Sequence, residues 1–266
     1  MSIPGEWSVG PVRVRAGAGG RRYGASDVFE RIPVFADHYD SFAAAYDAEN
    51  TSSLLNTYYN HPAMVDLAGD VAGLQVLDAG CGSGPLTAAL RSAGAVMTGI
   101  DGSPEMLATA RRRLGDDVPL HVADLAEPLP FADDAFDVVV CSLVLHYLED
   151  WDAPLAEFRR VLRPGGRLVL SVNHPTVFAH LRPTEDYFAV HRFSDEFRFG
   201  DQEATLTFWH RPLHAMFDAF RGAGFAVSAV AEPAPAPDTP VELLPPRIVS
   251  GERSRFLSFL YFVLTP

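Results

Sequence analysis

The sequence contains no lysine. All 21 of its basic residues are arginine, set against 34 acids, and the formal net charge is −13. A lysine Schiff base, a pyridoxal-phosphate anchor and the phosphate-binding lysine of a Walker loop are therefore excluded. The acid excess argues against a nucleic-acid partner, whose backbone needs a basic face. Cysteine is nearly as scarce: Cys81 and Cys141 give neither a disulfide framework nor a C-x-x-C zinc signature. Nine histidines show no H-E-x-x-H or comparable spacing, so no metal site is expected. The longest apolar runs, Val138–Leu145 and Phe256–Leu264, fall short of the roughly 18–20 residues a membrane helix needs, so no membrane partner is expected. The first residues lack a basic start followed by an apolar core, and a cytoplasmic protein is expected.

What is present fits one large α/β domain: 266 residues, 48% hydrophobic and 21% charged. Residues 1–30 are rich in Gly and Arg and read as a flexible arm, one that can serve oligomer formation. The rest, 31–266, reads as a single domain. Its opening, 31–72, is a helical cap in which Phe35, Tyr39, Phe42, Ala43 and Tyr46 recur at helical spacing. Strand and helix signals then alternate. Strands are predicted at 75–78, 96–101, 120–123, 136–141 and 167–172, and helices at 85–93, 103–114 and 154–162, the last broken by Pro164-Gly165-Gly166. Such alternation means a parallel sheet with helices on both faces. Residues 173–210 interrupt it with eight aromatics and four histidines, and read as an insertion capping an apolar substrate. A helix at 213–222 and strands at 225–230 and 256–264 close the sheet antiparallel.

The centre of the sequence is Val76-Leu-Asp-Ala-Gly-Cys-Gly-Ser-Gly84, a strand running through a glycine loop into a helix. Glycines there allow a tight turn and a close approach to a ligand at the carboxyl end of the strand. The spacing is G-x-G-x-G rather than the G-x-G-x-x-G of a pyrophosphate site, and Asp78 stands just ahead of it. A carboxylate at that mouth repels phosphate and suits a cation. Asp101, at the end of the next strand, can accept both hydroxyls of a ribose. Asp124, at the end of the third, can accept an adenine amino group. Three strand-end acids thus match a cationic, phosphate-free nucleoside.

On these motifs the sequence resembles the class I S-adenosylmethionine-dependent methyltransferases, the group that includes ubiquinone/menaquinone and natural-product methyltransferases. The matching stretches are VLDAGCGSG (76–84), GIDGSPEML (99–107), ADLAEPLPF (123–131), FDVVVCSLVLHYLED (136–150) and LRPGGRLVLSV (162–172). The resemblance implies a Rossmann-like, seven-stranded, mostly parallel sheet with an antiparallel last strand. It implies S-adenosyl-L-methionine as cofactor, with Gly80, Cys81 and Gly82 lining the methionine part and Asp78 bonding it. Asp101 would hold the ribose, with Gly102 and Met106 near the adenosine. Asp124 and the backbone of Leu125 would read the adenine, and Ser142 and Leu143 would stand beside the methionine end. An N-terminal aromatic, Tyr39 or Tyr46, would cover the cofactor. The implied reaction is methyl transfer to an oxygen, nitrogen or carbon nucleophile of a small hydrophobic metabolite in biosynthesis, with His146 or His174 as base. The rival readings are a methyltransferase fold turned to a non-methylating reaction such as cyclisation, and an NAD-dependent oxidoreductase.

Overall fold

The computed structural model describes Asp47, residues 53–199 and residues 202–266. The arm at 1–30, Tyr39 and Tyr46 lie outside the described residues.

A five-residue π-helical turn, Asn56–Asn60, runs directly into helix α1, His61–Ala68. The alternating part follows: β1 (Gln75–Ala79), α2 (Pro85–Ser92), β2 (Val96–Asp101), α3 (Pro104–Leu114), β3 (Leu120–Val122), β4 (Phe136–Ser142), a 3₁₀ turn (Leu145–Tyr147), α4 (Asp152–Val161) and β5 (Leu162–Asn173). Then come α5 (Pro175–Leu181), a two-stranded antiparallel hairpin of β6 (His191–Phe199) and β7 (Gln202–His210), α6 (Leu213–Gly222), β8 (Ala226–Ala231) and β9 (Phe259–Thr265). Two short helical turns, Val241–Leu243 and Pro246–Val249, separate β8 from β9.

Seven strands form one sheet in the order β3-β2-β1-β4-β5-β9-β8. β1 pairs in parallel with β2 and β4, and β4 with β5, while β9 runs antiparallel to both β5 and β8. This is the Rossmann-like sheet expected from the sequence, with its antiparallel last strand. The chain winds outward in both directions from β1 and β4, so the carboxyl ends of these two strands flank the crevice where such sheets hold ligands. Local chemistry explains the elements. Ser103 caps α3, its Oγ accepting from the Met106 N–H at 3.1 Å, and Pro104 occupies the first turn. β4 is almost wholly apolar because both of its faces are covered. One apolar layer gathers Trp151, Phe158, Phe220 and Phe262; the other gathers Tyr59, Met64, Leu90 and Tyr261.

The expected break at Pro164-Gly165-Gly166 is corrected: β5 runs through it from Leu162. Pairing jumps from Phe136–Leu162 to Val138–Arg167, so a bulge absorbs the extra residues. Gly166 makes the bulge feasible, because a Cβ there would press on the carbonyl oxygens of Asp137 and Arg163 at 2.8 and 2.9 Å. Among the described residues no helix is long and apolar enough to cross a membrane.

Candidate functional site

The loop after β1 turns on three glycines with left-handed φ, Gly80 at 81°, Gly82 at 53° and Gly84 at 81°. A side chain on Gly80 would run into Val144, which follows β4, whereas a Cβ on Gly82 would meet only open space. The loop therefore packs tightly on one side and is bare on the other. Its amides are already engaged. The N–H groups of Gly80 and Cys81 both donate to the Ile100 carbonyl at 2.9 Å, Gly84 donates to Cys81 O at 2.9 Å, and Gly82 donates to Asp101 Oδ2 at 2.8 Å. An anion cradle needs those amides free and convergent. Here they bind the loop to β2 instead.

One cavity brings together every described residue singled out for the cofactor. Asp78, Gly80, Cys81 and Gly82 come from β1 and its loop; Asp101 ends β2, and Gly102 and Met106 follow it. Asp124 and Leu125 follow β3, Ser142 ends β4 and Leu143 follows it. With its open mouth the cavity holds about 1010 Å³. Asp78 is 1% exposed and has one oxygen, Oδ2, accepting from Thr87 Oγ1 at 2.6 Å. Burial pushes its carboxyl up to about 7; the Thr87 hydrogen bond opposes that rise and the nearby Asp101 adds to it. Such a group is a buried acid with no cationic side chain against it among the described residues. Asp101 is also the loop's fastener, its other oxygen accepting from the Ser103 N–H at 2.9 Å. Asp124 accepts from the Ala126 N–H at 2.9 Å at the start of its own turn. Burial, and then Asp78 and Asp101, push the Cys81 thiol up, which keeps it protonated and no nucleophile.

Leu143 holds a left-handed φ of 57°, a conformation that costs a branched residue about 1–2 kcal/mol. Its N–H is held at 3.0 Å by the Ser171 carbonyl and at 3.1 Å by Ser171 Oγ. The strain therefore sits on the cavity wall and is held there by β5.

The wall also includes residues that the sequence did not single out. Asn56, Asn60 and His61 come from the π turn and the start of α1, and Val144, Tyr147 and Leu148 from the stretch after β4. Burial, helped by the charge of Arg113, lowers His61 to about 4, so it is a neutral imidazole. Arg113 is itself tied to Asp47 at 2.8 Å and to Ser83 Oγ at 3.0 Å. A usable signal existed in the two asparagines four residues apart before His61-Pro62, a spacing that shares one helical face.

The structure does not bring His146 and His174 to the cavity wall. His146 lies in the 3₁₀ turn, its Nδ1 accepting from the Asn173 N–H at 3.2 Å and its ring against Tyr147 and Phe208. Burial lowers it to about 3. His174 caps α5: Nδ1 accepts from the Thr176 N–H at 3.2 Å, which leaves Nε2 to donate to Glu232 Oε1 at 2.9 Å. Nor does any described residue of 173–210 line the cavity. The aromatics of that segment pack on one another. Phe178 stacks on His210 with ring centres 3.8 Å apart, and the Arg182 guanidinium lies 4.5 Å over Phe193. The segment reaches the site indirectly, through Phe208 against Tyr147 at 5.1 Å. Among the described residues no group of three or more His, Cys, Asp or Glu side chains could hold a metal ion.

A ligand that fits this wall offers a cation to Asp78 and polar hydrogens to the acids after β2 and β3, and it asks no phosphate contact of the loop. S-adenosylmethionine, with its ammonium, ribose diol and adenine and no phosphate, fits it.

Comparison with known proteins agrees. Residues 77–170 match a family model described as a methyltransferase domain. The chain is 30% identical over 210 residues to a ubiquinone/menaquinone biosynthesis C-methyltransferase of Desulfotalea psychrophila, covering 74% of this chain and 85% of that one. It is 40% identical over 134 residues to a demethylmenaquinone methyltransferase of Clavibacter sepedonicus, covering 50% of this chain and 55% of that one. The match thus spans a little over half the length of the demethylmenaquinone methyltransferases of this kind. The crystal structure of an S-adenosylmethionine-dependent methyltransferase from Mesorhizobium loti superposes with a TM-score of 0.58 at 26% identity, covering 77% of this chain and 96% of that one. Sheet order, loop chemistry and these similarities converge: the chain belongs to the class I S-adenosylmethionine-dependent methyltransferases.

Proposed function

We propose that this protein moves the methyl group of S-adenosylmethionine to an oxygen, nitrogen or carbon nucleophile of a small hydrophobic metabolite. The observation that carries this is the loop after β1: the amides of Gly80, Cys81, Gly82 and Gly84 are bound internally, while the loop presents to the cavity a buried carboxylate with no cationic partner among the described residues. The same observation weighs against the NAD-dependent reading, which needs those amides for a pyrophosphate. The complete set of acids, Asp78, Asp101 and Asp124, weighs against a fold that has abandoned the cofactor for cyclisation.

When bound, the cofactor supplies an electrophilic methyl carbon on a sulfonium. The chain's own part is positioning. Asp78 holds the ammonium, Asp101 the ribose, and Asp124 with the Leu125 backbone the adenine. Gly80, Cys81 and Gly82 leave room for the methionine part, Gly102 and Met106 pack near the adenosine, and Ser142 and Leu143 border the methionine end. Positioning of this kind is worth up to about 7–11 kcal/mol of barrier. Neither histidine acts as base in this reading: both nitrogens of His174 are engaged, and His146 is a buried neutral ring. The insertion at 173–210 shapes the acceptor side by bracing Tyr147. Tyr39 or Tyr46 completes the cover from the N-terminal side. Relatives named for quinone methylation favour an aromatic, quinol-type acceptor. The charge of −13 supports a small molecule over a nucleic acid, in a cytoplasmic setting. Residues 1–30 then remain as the arm through which an oligomer would form.

Calorimetry with S-adenosylhomocysteine and with NADH tests the cofactor. We expect the first to bind and the second not to; NADH binding alone would overturn the assignment. Incubation with S-adenosylmethionine and 1,4-dihydroxynaphthalene, read as release of S-adenosylhomocysteine, tests the acceptor class.

A further inference from the structure

A network of three polar side chains runs from the cavity wall into the interior. Asn60, 1% exposed, comes from the π turn; Ser171, fully buried, comes from β5; Ser142 ends β4 and lines the cavity. Asn60 Nδ2 donates to Ser142 Oγ at 2.8 Å, and Asn60 Oδ1 accepts from Ser171 Oγ at 3.0 Å. Ser171 Oγ in turn accepts from the Leu143 N–H at 3.1 Å.

The protons can be followed one by one. A serine hydroxyl has a single proton to give. Ser171 gives its proton to Asn60 and can give it nowhere else. Ser142 receives a proton from Asn60, so its own is not used on the amide. Within the network only Ser171 Oγ remains for it, at a long 3.4 Å. Ser142 is the one serine of the pair that borders open space.

We infer that the Ser142 hydroxyl is held as a hydrogen-bond donor into the cavity, aimed at an oxygen lone pair of a bound ligand. Asn60 and Ser171 are positioning residues that fix its direction. The chemistry it recognises is a carboxylate, phenolate or carbonyl oxygen. Two sources carry that chemistry: the carboxylate of the amino-acid part of the cofactor, and the oxygen of the methyl acceptor. The network also explains why β5 holds Leu143 in its left-handed conformation. The same Ser171 oxygen that orients Asn60 fixes the backbone next to the donor. The inference rests on the function proposed above and deepens it.

Two substitutions test it. Ser142→Ala removes the donor. Asn60→Asp keeps the shape but replaces the donating NH₂ with an oxygen that has no proton to give, so the Ser142 proton turns back onto the new carboxylate. Thermal melting checks that each variant is folded. The probes are S-adenosylhomocysteine, 5′-methylthioadenosine (which lacks the carboxylate) and 1,4-dihydroxynaphthalene bound in the presence of S-adenosylhomocysteine. Each variant is expected to weaken one probe by about tenfold, the worth of one hydrogen bond to a polar or charged oxygen. The double variant should lose no more than either single one, and Ser142→Thr should keep the affinity. Loss of S-adenosylhomocysteine with 5′-methylthioadenosine unchanged assigns the donor to the carboxylate. Loss confined to 1,4-dihydroxynaphthalene assigns it to the acceptor oxygen. Asn60→Asp binding every probe as the unaltered protein does would overturn the inference, and so would losses that multiply in the double variant. An unaltered protein that binds no S-adenosylhomocysteine overturns the proposed function as well. One that binds it, with both variants unchanged, overturns the donor alone.

Discussion

The crevice at the ends of β1 and β2 and the β6–β7 hairpin are both dense in groups able to do chemistry, yet they use them in opposite ways. At the crevice, Asp78 lies buried with no cationic partner among the described residues and Asp101 fastens the loop, both on the cavity wall. In the hairpin region the titratable and aromatic groups satisfy one another. His210 stacks on Phe178 and its Nε2 meets the Tyr187 carbonyl at 2.8 Å, while Arg182 pairs with Asp195 and covers Phe193. Residue type therefore does not distinguish function from packing here. Incomplete partnering beside a cavity does.

This contrast can be broken experimentally, and the strongest test is at Asp78. Asp78→Asn should weaken S-adenosylhomocysteine by about 100-fold, near 3 kcal/mol, because a desolvated ammonium loses its counter-charge. Phe193→Ala in the hairpin should leave that affinity within about threefold, as calorimetry on both variants would show. Next in size is Gly80→Ala. Positive φ together with collision against Val144 should cost about 2–3 kcal/mol of stability in urea unfolding, more than Gly82→Ala, which adds its methyl to open space. The third effect is on pH dependence. Asp78 titrates near 7 in the free chain, and only its charged form attracts a cation. Affinity for S-adenosylhomocysteine should therefore rise about tenfold from pH 6 to pH 8 and then level off, with Asp78→Asn abolishing the slope. A slope that survives the substitution would place the titrating group elsewhere. The smallest effect belongs to the hairpin: Arg182→Ala should lower stability by about 0.5–1 kcal/mol, since its ion pair and ring contact are partly exposed.

Much of this was legible in the chain itself, for a physical reason. Asp78, Asp101 and Asp124 lie at or just past the ends of successive parallel strands, so sequence order carries them to one edge of the sheet. The Ser103-Pro104 start of α3 depends only on neighbours and was equally readable. The Asn60–Ser142 contact was not. The Asn56 and Asn60 spacing marks a shared helical face, but the partner lies 82 positions away and no local pattern names it. The placement of the histidines was hidden for the opposite reason. His146 stands close to the cavity in sequence, but the 3₁₀ turn rolls it inward, where it accepts from the Asn173 amide. The Pro-Gly-Gly stretch reads as a break because its usual meaning is a turn, whereas the bulge against β4 retains it within the strand.

The position of β9 has a consequence for how the protein is made. This strand follows all the other described strands in sequence, yet it lies between β5 and β8 rather than at a margin of the sheet. Until residues 259–265 emerge from the ribosome, β5 and β8 each present an unpaired edge, and the apolar side chains of Phe262 and Leu264 are missing from the core. The nascent polypeptide is thus open to aberrant strand pairing until that strand has been made. Insertion of that strand should be the step that commits the chain to its native state.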